Sequence, residues 1–295
     1  MVICDVCHNR CVLKEGALGA CLGRMCKDDK VECANYGYVT SIALDPIEKK
    51  PLNLFYPGSK IISVGSYGCN LRCPFCQNNE ISFGFAENAG SSDSLITRIQ
   101  KYRDNFARYI IPKELADLAK EYEPQGNIGV AFTYNEPLIG YEYVCDTSRL
   151  VHENGMKTVL VSNGNASKRV CEEVSDNIDA MNIDLKGFTD EYYEKVLHGS
   201  RKMVMDFIEV AASKCHMEIT TLIVPDFNDS KEEILALSDW IASLNGGRGS
   251  DEIALHISRY FPRFHMDKPA TEVDVIYELA EAARENLKNV FTGNC

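Results

Sequence analysis

Three cysteines, Cys69, Cys73 and Cys76, fall in the stretch GSYGCNLRCPFCQNN at the spacing C-x3-C-x2-C. Three thiolates on one short loop can wrap an iron-sulfur cluster, and a four-iron cubane held by three ligands keeps one iron open to a reactant. An incomplete ligand set points to catalysis rather than simple electron storage. A structural zinc ion would want a fourth Cys or His nearby; the loop offers none, and the nearest upstream cysteine is Cys33. Gly65 and Gly68 relax the backbone before the first ligand, Pro74 stiffens the turn, and Phe75 puts an aromatic wall just before the last ligand.

A second group lies at the start of the chain. Cys4, Cys7, Cys11 and Cys21 are followed by Cys26 and Cys33, so six thiols fall within the first 33 residues. A segment this short buries little apolar surface, and a bound metal would supply the missing folding free energy. Four cysteines suffice for a closed zinc site, while six permit an auxiliary iron-sulfur cluster with ligands to spare. His8, alone in a loop, reads as solvent-exposed, and Cys145, Cys171 and Cys215 read as small buried residues.

The elements that must position these groups show in the hydrophobic pattern. From about residue 60 the runs KIISVGS, NIGVAFT, MKTVLVS, DAMNIDLK, MEITTLIVP and EIALHIS are near-continuously apolar, as strands covered by helices should be. Helical patterns such as PKELADLAKEY, VCDTSRLVHENG and SKEEILALSDWIASL separate them, with Pro112 as a start signal and Gly155 as a stop. Six βα units make an α/β fold of the partial (β/α)6 TIM-type kind, with functional groups at the C-terminal ends of the strands. The expected division is a Cys-rich metal-binding segment over 1–50 and the barrel over 51–295. The stretch from Ser82 to Ala107, rich in small and polar residues, reads as a lid or a surface excursion.

Several strand ends carry polar residues that a covered strand would not need. Asp184 and Lys186 are two apart and share a face, with Ile183 and Leu185 on the other. Glu218 and Thr220 likewise share a face, and a glutamate inside a barrel needs a partner or a ligand. His256 alternates with Ala254 and Ser258, opposite Ile253, Leu255 and Ile257, and so faces inward. Ser162, Asn163 and Gly164 follow the third run at the place where α/β sheets bind ligands.

The cysteine loop resembles the cluster motif of radical SAM enzymes, and with Asn78 after it the branch containing pyruvate formate-lyase activating enzyme. CDVCHNRC, DPIEKKPLNLFYPGS, CPFCQNNEIS, FTYNEP and HISRYFPRF resemble the AmmeMemoRadiSam-system radical SAM proteins, and DPIEKKPL is the most specific stretch. The resemblance implies a 4Fe-4S cluster on Cys69, Cys73 and Cys76, with S-adenosylmethionine (SAM) chelated at the open iron. TYNEP occupies the place of the Gly-Gly-Glu-Pro motif whose backbone carbonyls receive the SAM ammonium, with Tyr134 and Asn135 standing where the glycines are expected. Implied SAM contacts are Phe75, Asn135, Glu136, Ser162, Asn163, Asp184, Lys186, Thr220 and His256, with Arg259 for a carboxylate. Val161 replaces the acid that often precedes the Ser-Asn-Gly triplet, and the Ser82–Ala107 stretch is longer than the family's linker. The likeness also supports Cys4, Cys7, Cys11 and Cys21 as a recurring set, with Cys26 and Cys33 as extras.

Composition bounds the partners. A formal charge of -12 repels phosphate backbones, so no nucleic-acid surface is expected, and Arg98, Lys101, Arg103 and Arg108 read as a solvated helix face. No stretch is long and apolar enough to cross a bilayer and the first residues lack a signal pattern, so the expected place is the cytoplasm. Thirteen cysteines without a secretion signal argue for metal ligation in an oxygen-poor, reducing setting. The expected electron donor is flavodoxin or ferredoxin. The substrate is a backbone glycine of a partner protein, as for activases, or another peptide or small molecule. A rival reading from another class, a non-catalytic zinc or iron-sulfur redox sensor, predicts no SAM binding.

Overall fold

The computed structural model describes residues 1–87 and 93–295. Its main sheet has eight strands: β1 (Ser41–Pro46), β2 (Lys60–Gly65), β3 (Asn127–Phe132), β4 (Lys157–Ser162), β5 (Ala180–Asp184), β6 (His216–Ile223), β7 (Ala254–Arg259) and β8 (Val290–Gly293). They lie in the order β8-β7-β6-β5-β4-β3-β2-β1, parallel from β2 to β8, with β1 antiparallel to β2. The linear order leaves the sheet open, as a partial barrel. The six apolar runs read from the sequence are β2 to β7.

Among the described residues seven longer helices accompany the sheet: α1 (Leu95–Phe106), α2 (Pro112–Glu121), α3 (Tyr141–Glu153), α4 (Lys168–Ser175), α5 (Arg201–Ala212), α6 (Lys231–Gly247) and α7 (Val273–Ala283). Val64, Phe132, Leu160, Met181, Ile219 and Leu255 on the strands share one core with Leu115, Val144, Val170, Phe207, Leu237 and Ile276 on α2 to α7. Pro112 opens α2, whose Glu114 carboxylate accepts from the Ile111 N–H at 3.0 Å. Gly155 follows α3 at φ +73°, a left-handed geometry glycine adopts freely.

The inner face is filled from below by the chain itself. After β1, a 3-10 turn (Ile47–Lys49) and the loop to β2 enter the barrel. Ile47, Leu52 and Phe55 pack there on Ile61, Ala131, Val159 and Ala180. Small side chains at 131 and 180 leave room for this plug. Glu218 accepts from the N–H groups of Asn53 and Leu54 at 3.0 and 2.8 Å, and Asn182 Nδ2 donates to the Pro51 carbonyl at 2.8 Å. The stretch DPIEKKPL is therefore the barrel's floor. Strand β1, counted with the Cys-rich segment in the sequence, belongs to the barrel sheet, so a boundary at residue 50 would cut the plug.

The stretch from Ser82 to Ala107 differs from its reading as a loop. Residues 88–92 lie outside the described residues, but Leu95–Phe106 is a helix capped by Ser94, whose hydroxyl accepts from the Thr97 N–H. Only Ile99 on it is fully buried, but Leu95, Ile99, Tyr102 and Phe106 recur at helical spacing, and Leu95 and Tyr102 pack beside Ile99. Aromatic stacking adds to this packing: Tyr102 lies 4.4 Å from Phe85 between ring centroids. The basic cluster is not one solvated face. Arg103 donates to Tyr67 Oη at 2.6 Å and lies 4.5 Å from the Tyr38 ring centroid, and Arg108 sits in a short strand paired with Val39.

Candidate functional site

The loop after β2 is shaped by two glycines with different jobs. A Cβ at Gly65 would stand 2.9 Å from Cβ of Tyr134, so its absence lets Tyr134 close over β2. Gly68 has φ +88°, and a Cβ there would stand 2.3 Å from the Cys21 carbonyl oxygen. The Cys69 N–H donates to that same carbonyl at 3.1 Å. Asn163 Nδ2 donates to Cys69 Sγ at 3.7 Å and to Asn70 Oδ1 at 2.8 Å, and Asn70 Nδ2 donates to the Asn165 carbonyl at 2.8 Å. The thiols of Cys69, Cys73 and Cys76 open onto one cavity of about 290 Å³ at the C-terminal strand ends.

Glu136 ties the ends of β3 and β4 together. It is buried and accepts from the Asn163 N–H at 2.8 Å, the Leu138 N–H at 2.9 Å and Ser162 Oγ at 2.7 Å. Burial lifts its carboxyl to about 7 against these donors. Asn135 bridges the cysteine loop, accepting from the Ser66 N–H at 2.9 Å and donating to the Gly68 carbonyl at 3.0 Å. Asp184 and Lys186 form an ion pair at 2.8 Å, and both line the cavity, as the two-residue spacing predicted. Burial alone would favour loss of the Lys186 proton, but Asp184 and Cys73 outweigh it and hold the ammonium charged. Burial pushes the Cys73 thiol up to about 11 and that of Cys69 well above its ordinary value, so metal binding here must expel protons.

A triad below this cavity, with Lys50 buried and Asp45 and Tyr134 half-buried, has no counterpart in the sequence reading. Tyr134 Oη donates to Asp45 at 2.7 Å, and Lys50, 2% exposed, pairs with Asp45 at 2.9 Å with its ammonium 4.6 Å from the Tyr134 ring centroid. Tyr134 has φ +70°, a left-handed geometry that costs a non-glycine residue about 1–2 kcal/mol. It stands where the motif has glycine, and its carbonyl accepts from Asn78 Nδ2 at 2.6 Å. Burial raises the Asp45 carboxyl, but the hydrogen bonds from Lys50 and Tyr134 overcome it and hold it at about 2. For Lys50 burial wins and lowers its ordinary value. DPIEKKPL carried the signal for this unit, but contact between residues 45, 50 and 134 depends on the barrel closing over the plug.

Phe75, Asn135, Glu136, Ser162, Asn163, Asp184, Lys186 and Thr220 all line the cavity, with Gln77, Asn78, Leu222, Ser258 and Asn294 beside them. His256 does not line it. Its Nε2 is 2.6 Å from Glu218, its ring stacks on Phe291, and Glu218 also takes His216 at 2.9 Å. Inward orientation was read correctly, but His256, which pairs with Thr220 in the sheet, turns its ring to Glu218 rather than to the cavity, and Glu218 finds its partners in the two histidines and the plug. Arg259 donates to the Thr271 carbonyl at 2.6 Å and is also absent from the lining. A wider hollow of about 760 Å³, lined by His152, Asp179, Lys214 and His216, lies at the opposite strand ends and holds none of the loop cysteines.

Two further depressions adjoin the cavity. Gln77, Asn78 and Tyr134 line both it and a second one that reaches Arg263. Glu80 and Ile81 lead from there to a third under Phe85, Tyr102 and Phe106. The site thus continues outward across α1.

The donor set suits a multi-iron cluster with an open position. Three thiols reach one cavity, and among the described residues no fourth cysteine or histidine lines it. Among the described residues no three Cys, His, Asp or Glu side chains converge on a single ion. Cubane ligands need no such convergence, since each binds a different iron. Asp184, Lys186, Ser162 and Asn163 supply both charges and neutral donors for a zwitterionic amino-acid group.

Residues 63–238 match the radical SAM superfamily. An uncharacterized protein of Methanocaldococcus jannaschii is 35% identical over 99% of this chain and 81% of its own length. The pyruvate formate-lyase-activating enzyme of Clostridium pasteurianum is 22% identical over 75% of this chain and 86% of its own. Among solved structures, Streptococcus suis SuiB bound to S-adenosylmethionine aligns with a TM-score of 0.55 at 15% identity, covering 78% of this chain and 48% of that one. TYW1 with a lysine-pyruvate adduct aligns at 0.51 and 18% identity, covering 83% of each chain. At these identities the solved structures speak for the fold.

Proposed function

The chain belongs to the radical SAM superfamily, and from that premise we propose that it abstracts hydrogen from a backbone carbon of a protein or peptide, in the manner of a glycyl-radical activase. One observation carries the reading: the three loop thiols open onto the same cavity as the polar ends of β3, β4, β5 and β6. Bound together, the cluster and SAM would supply the one-electron chemistry that abstracts the hydrogen.

The chain's own part is holding and shielding. Cys69, Cys73 and Cys76 would hold the cluster. The Asp184–Lys186 pair, Ser162 and Asn163 are placed for the amino-acid end of SAM, and the buried Glu136 fixes the backbone of two strand ends around it. No side-chain acid or base is assigned, because the abstraction needs none. Phe75 and Leu222 give the wall an apolar side that excludes water.

The depressions leading from Tyr134 past Arg263 to Phe85 and Tyr102 support an extended substrate, since a small molecule would need only the inner cavity. Likeness to activating enzymes agrees with this. A flavodoxin or ferredoxin is the proposed donor, and the cytoplasm the proposed place; among the described residues no helix is long and apolar enough to cross a membrane. The test is anaerobic incubation with SAM, reductant and a pyruvate formate-lyase-type protein. A glycyl-radical doublet in its spectrum supports the reading. Turnover of SAM that leaves polypeptides untouched but consumes a small metabolite would replace it.

A further inference from the structure

Tyr134 stands at the cavity wall in a backbone conformation that tyrosine disfavours. Its φ is +70°, and the Asn135 N–H returns across it to the Thr133 carbonyl at 3.0 Å, the pattern of the rare and strained γ-turn. A glycine would adopt that φ freely, whereas a tyrosine must be held there. Asn78, Thr133, Tyr134 and Asn135 all line the cavity, and the Tyr134 carbonyl accepts from Asn78 Nδ2 at 2.6 Å. The turn therefore sets where that carbonyl stands.

The Tyr134 side chain is gripped at its tip, across its face and at its root. Its Oη donates to Asp45 Oδ2 at 2.7 Å, and Lys50 Nζ meets the same oxygen at 2.9 Å while lying 4.6 Å from the ring centroid. At the root, Gly65 leaves the space that its own Cβ would take, 2.9 Å from Cβ of Tyr134. Neither Asp45 nor Lys50 lines the cavity, so both reach it only through Tyr134. Against apolar residues of the same size a buried ion pair adds little to stability, so what this pair secures is the place of the phenol it grips.

We propose that Asp45 and Lys50 are positioning residues for SAM: they anchor Tyr134 from below, keep its γ-turn formed, and so hold the Tyr134 carbonyl at the cavity wall for the SAM ammonium. The inference rests on the reading that SAM binds in this cavity. Tyrosine, acid and lysine together do here what a glycine does by backbone freedom alone. Without the anchor the turn relaxes, and SAM binds only the fraction of molecules in which it has re-formed. A left-handed tyrosine is disfavoured by about tenfold in population, and the apparent Kd rises by about the same factor.

The test is calorimetry of SAM binding to anaerobically reconstituted full-length protein, with iron content measured beside it. Asp45→Leu/Lys50→Met should weaken binding about tenfold at unchanged iron. Tyr134→Phe keeps the ring but loses the bond to Asp45; it should weaken binding about threefold, and it carries the test if the double variant fails to fold. In a Tyr134→Gly background, adding Asp45→Leu/Lys50→Met should change the affinity by less than about twofold, because a glycine needs no anchor. A pair that serves stability alone would alter binding equally in both backgrounds or in neither, and either result would overturn the proposal. A Tyr134→Phe variant that binds SAM as tightly as wild type would also overturn it. A wild type with an intact cluster and no SAM binding would overturn it through its premise, a result distinct from wild type and variants all binding alike.

Discussion

Asp45→Asn is the sharpest perturbation of the floor beneath the cavity. Lys50 has a side chain 3% exposed, and its ammonium has one carboxylate partner, Asp45 at 2.9 Å. Removing the charge leaves a buried cation unpaired, which costs about 3–5 kcal/mol when nothing relaxes. The lysine can escape by shedding its proton, at about 1.4 kcal/mol for each pH unit below its ordinary value of 10.5. That sets a ceiling of about 4 kcal/mol at pH 7.5 and about 2 kcal/mol at pH 9. Urea unfolding of wild type and variant in the same cluster state reads the difference directly. The gap should be about 3–4 kcal/mol at pH 7.5 and shrink by roughly half at pH 9. Asp45→Leu/Lys50→Met, which removes both charges, should return to within about 2 kcal/mol of wild type. A loss under about 1 kcal/mol for Asp45→Asn, or a gap that does not narrow with rising pH, would refute the reasoning.

Other expectations follow from the same contacts. Gly68→Ala places a Cβ against the Cys21 carbonyl and forces a left-handed residue, so it should cost about 2–4 kcal/mol and lower iron retention on the catalytic loop, read by urea titration and iron assay. Glu218 is held at about 2 against an ordinary 4.5, chiefly by His216, His256 and the plug N–H groups acting against burial. A depressed carboxylate gives stability that is present above its unfolded value and lost as pH falls through the folded one. About 3 kcal/mol should therefore disappear between pH 4.5 and 2, and Glu218→Gln should flatten that slope in acid unfolding. Lys186→Met should weaken SAM binding to cluster-loaded protein by tenfold or more in calorimetry while leaving iron content unchanged, because its ammonium pairs with Asp184 at the cavity wall.

Much of this site was legible because strand periodicity is local. Asp184 and Lys186 had to share a face, and Ser162 and Asn163 had to follow β4, whatever the helices did. What the sequence hid was depth and distance. Alternation put His256 inside the barrel but could not say what its ring would meet, and although it pairs with Thr220 in the sheet it turns to Glu218, two residues closer to the floor. The plug was recognisable as a specific stretch yet silent about its job, since Asp45, Lys50 and Tyr134 meet only in three dimensions. Helix α1 was read only through its basic residues, as a solvated face inside a loop, although Leu95, Ile99 and Tyr102 form an apolar stripe packed with Phe85. Strand β1 was hidden by partial exposure, and β8 by its length of four residues.

The most direct test of the central claim is 5′-deoxyadenosine formation. Anaerobically reconstituted protein is mixed with SAM and dithionite, and the product is quantified by mass spectrometry beside Cys73→Ala. The account predicts 5′-deoxyadenosine from wild type and none above background from the variant. A wild type with an intact cluster that neither binds SAM nor forms product would contradict it and favour a metal-binding sensor.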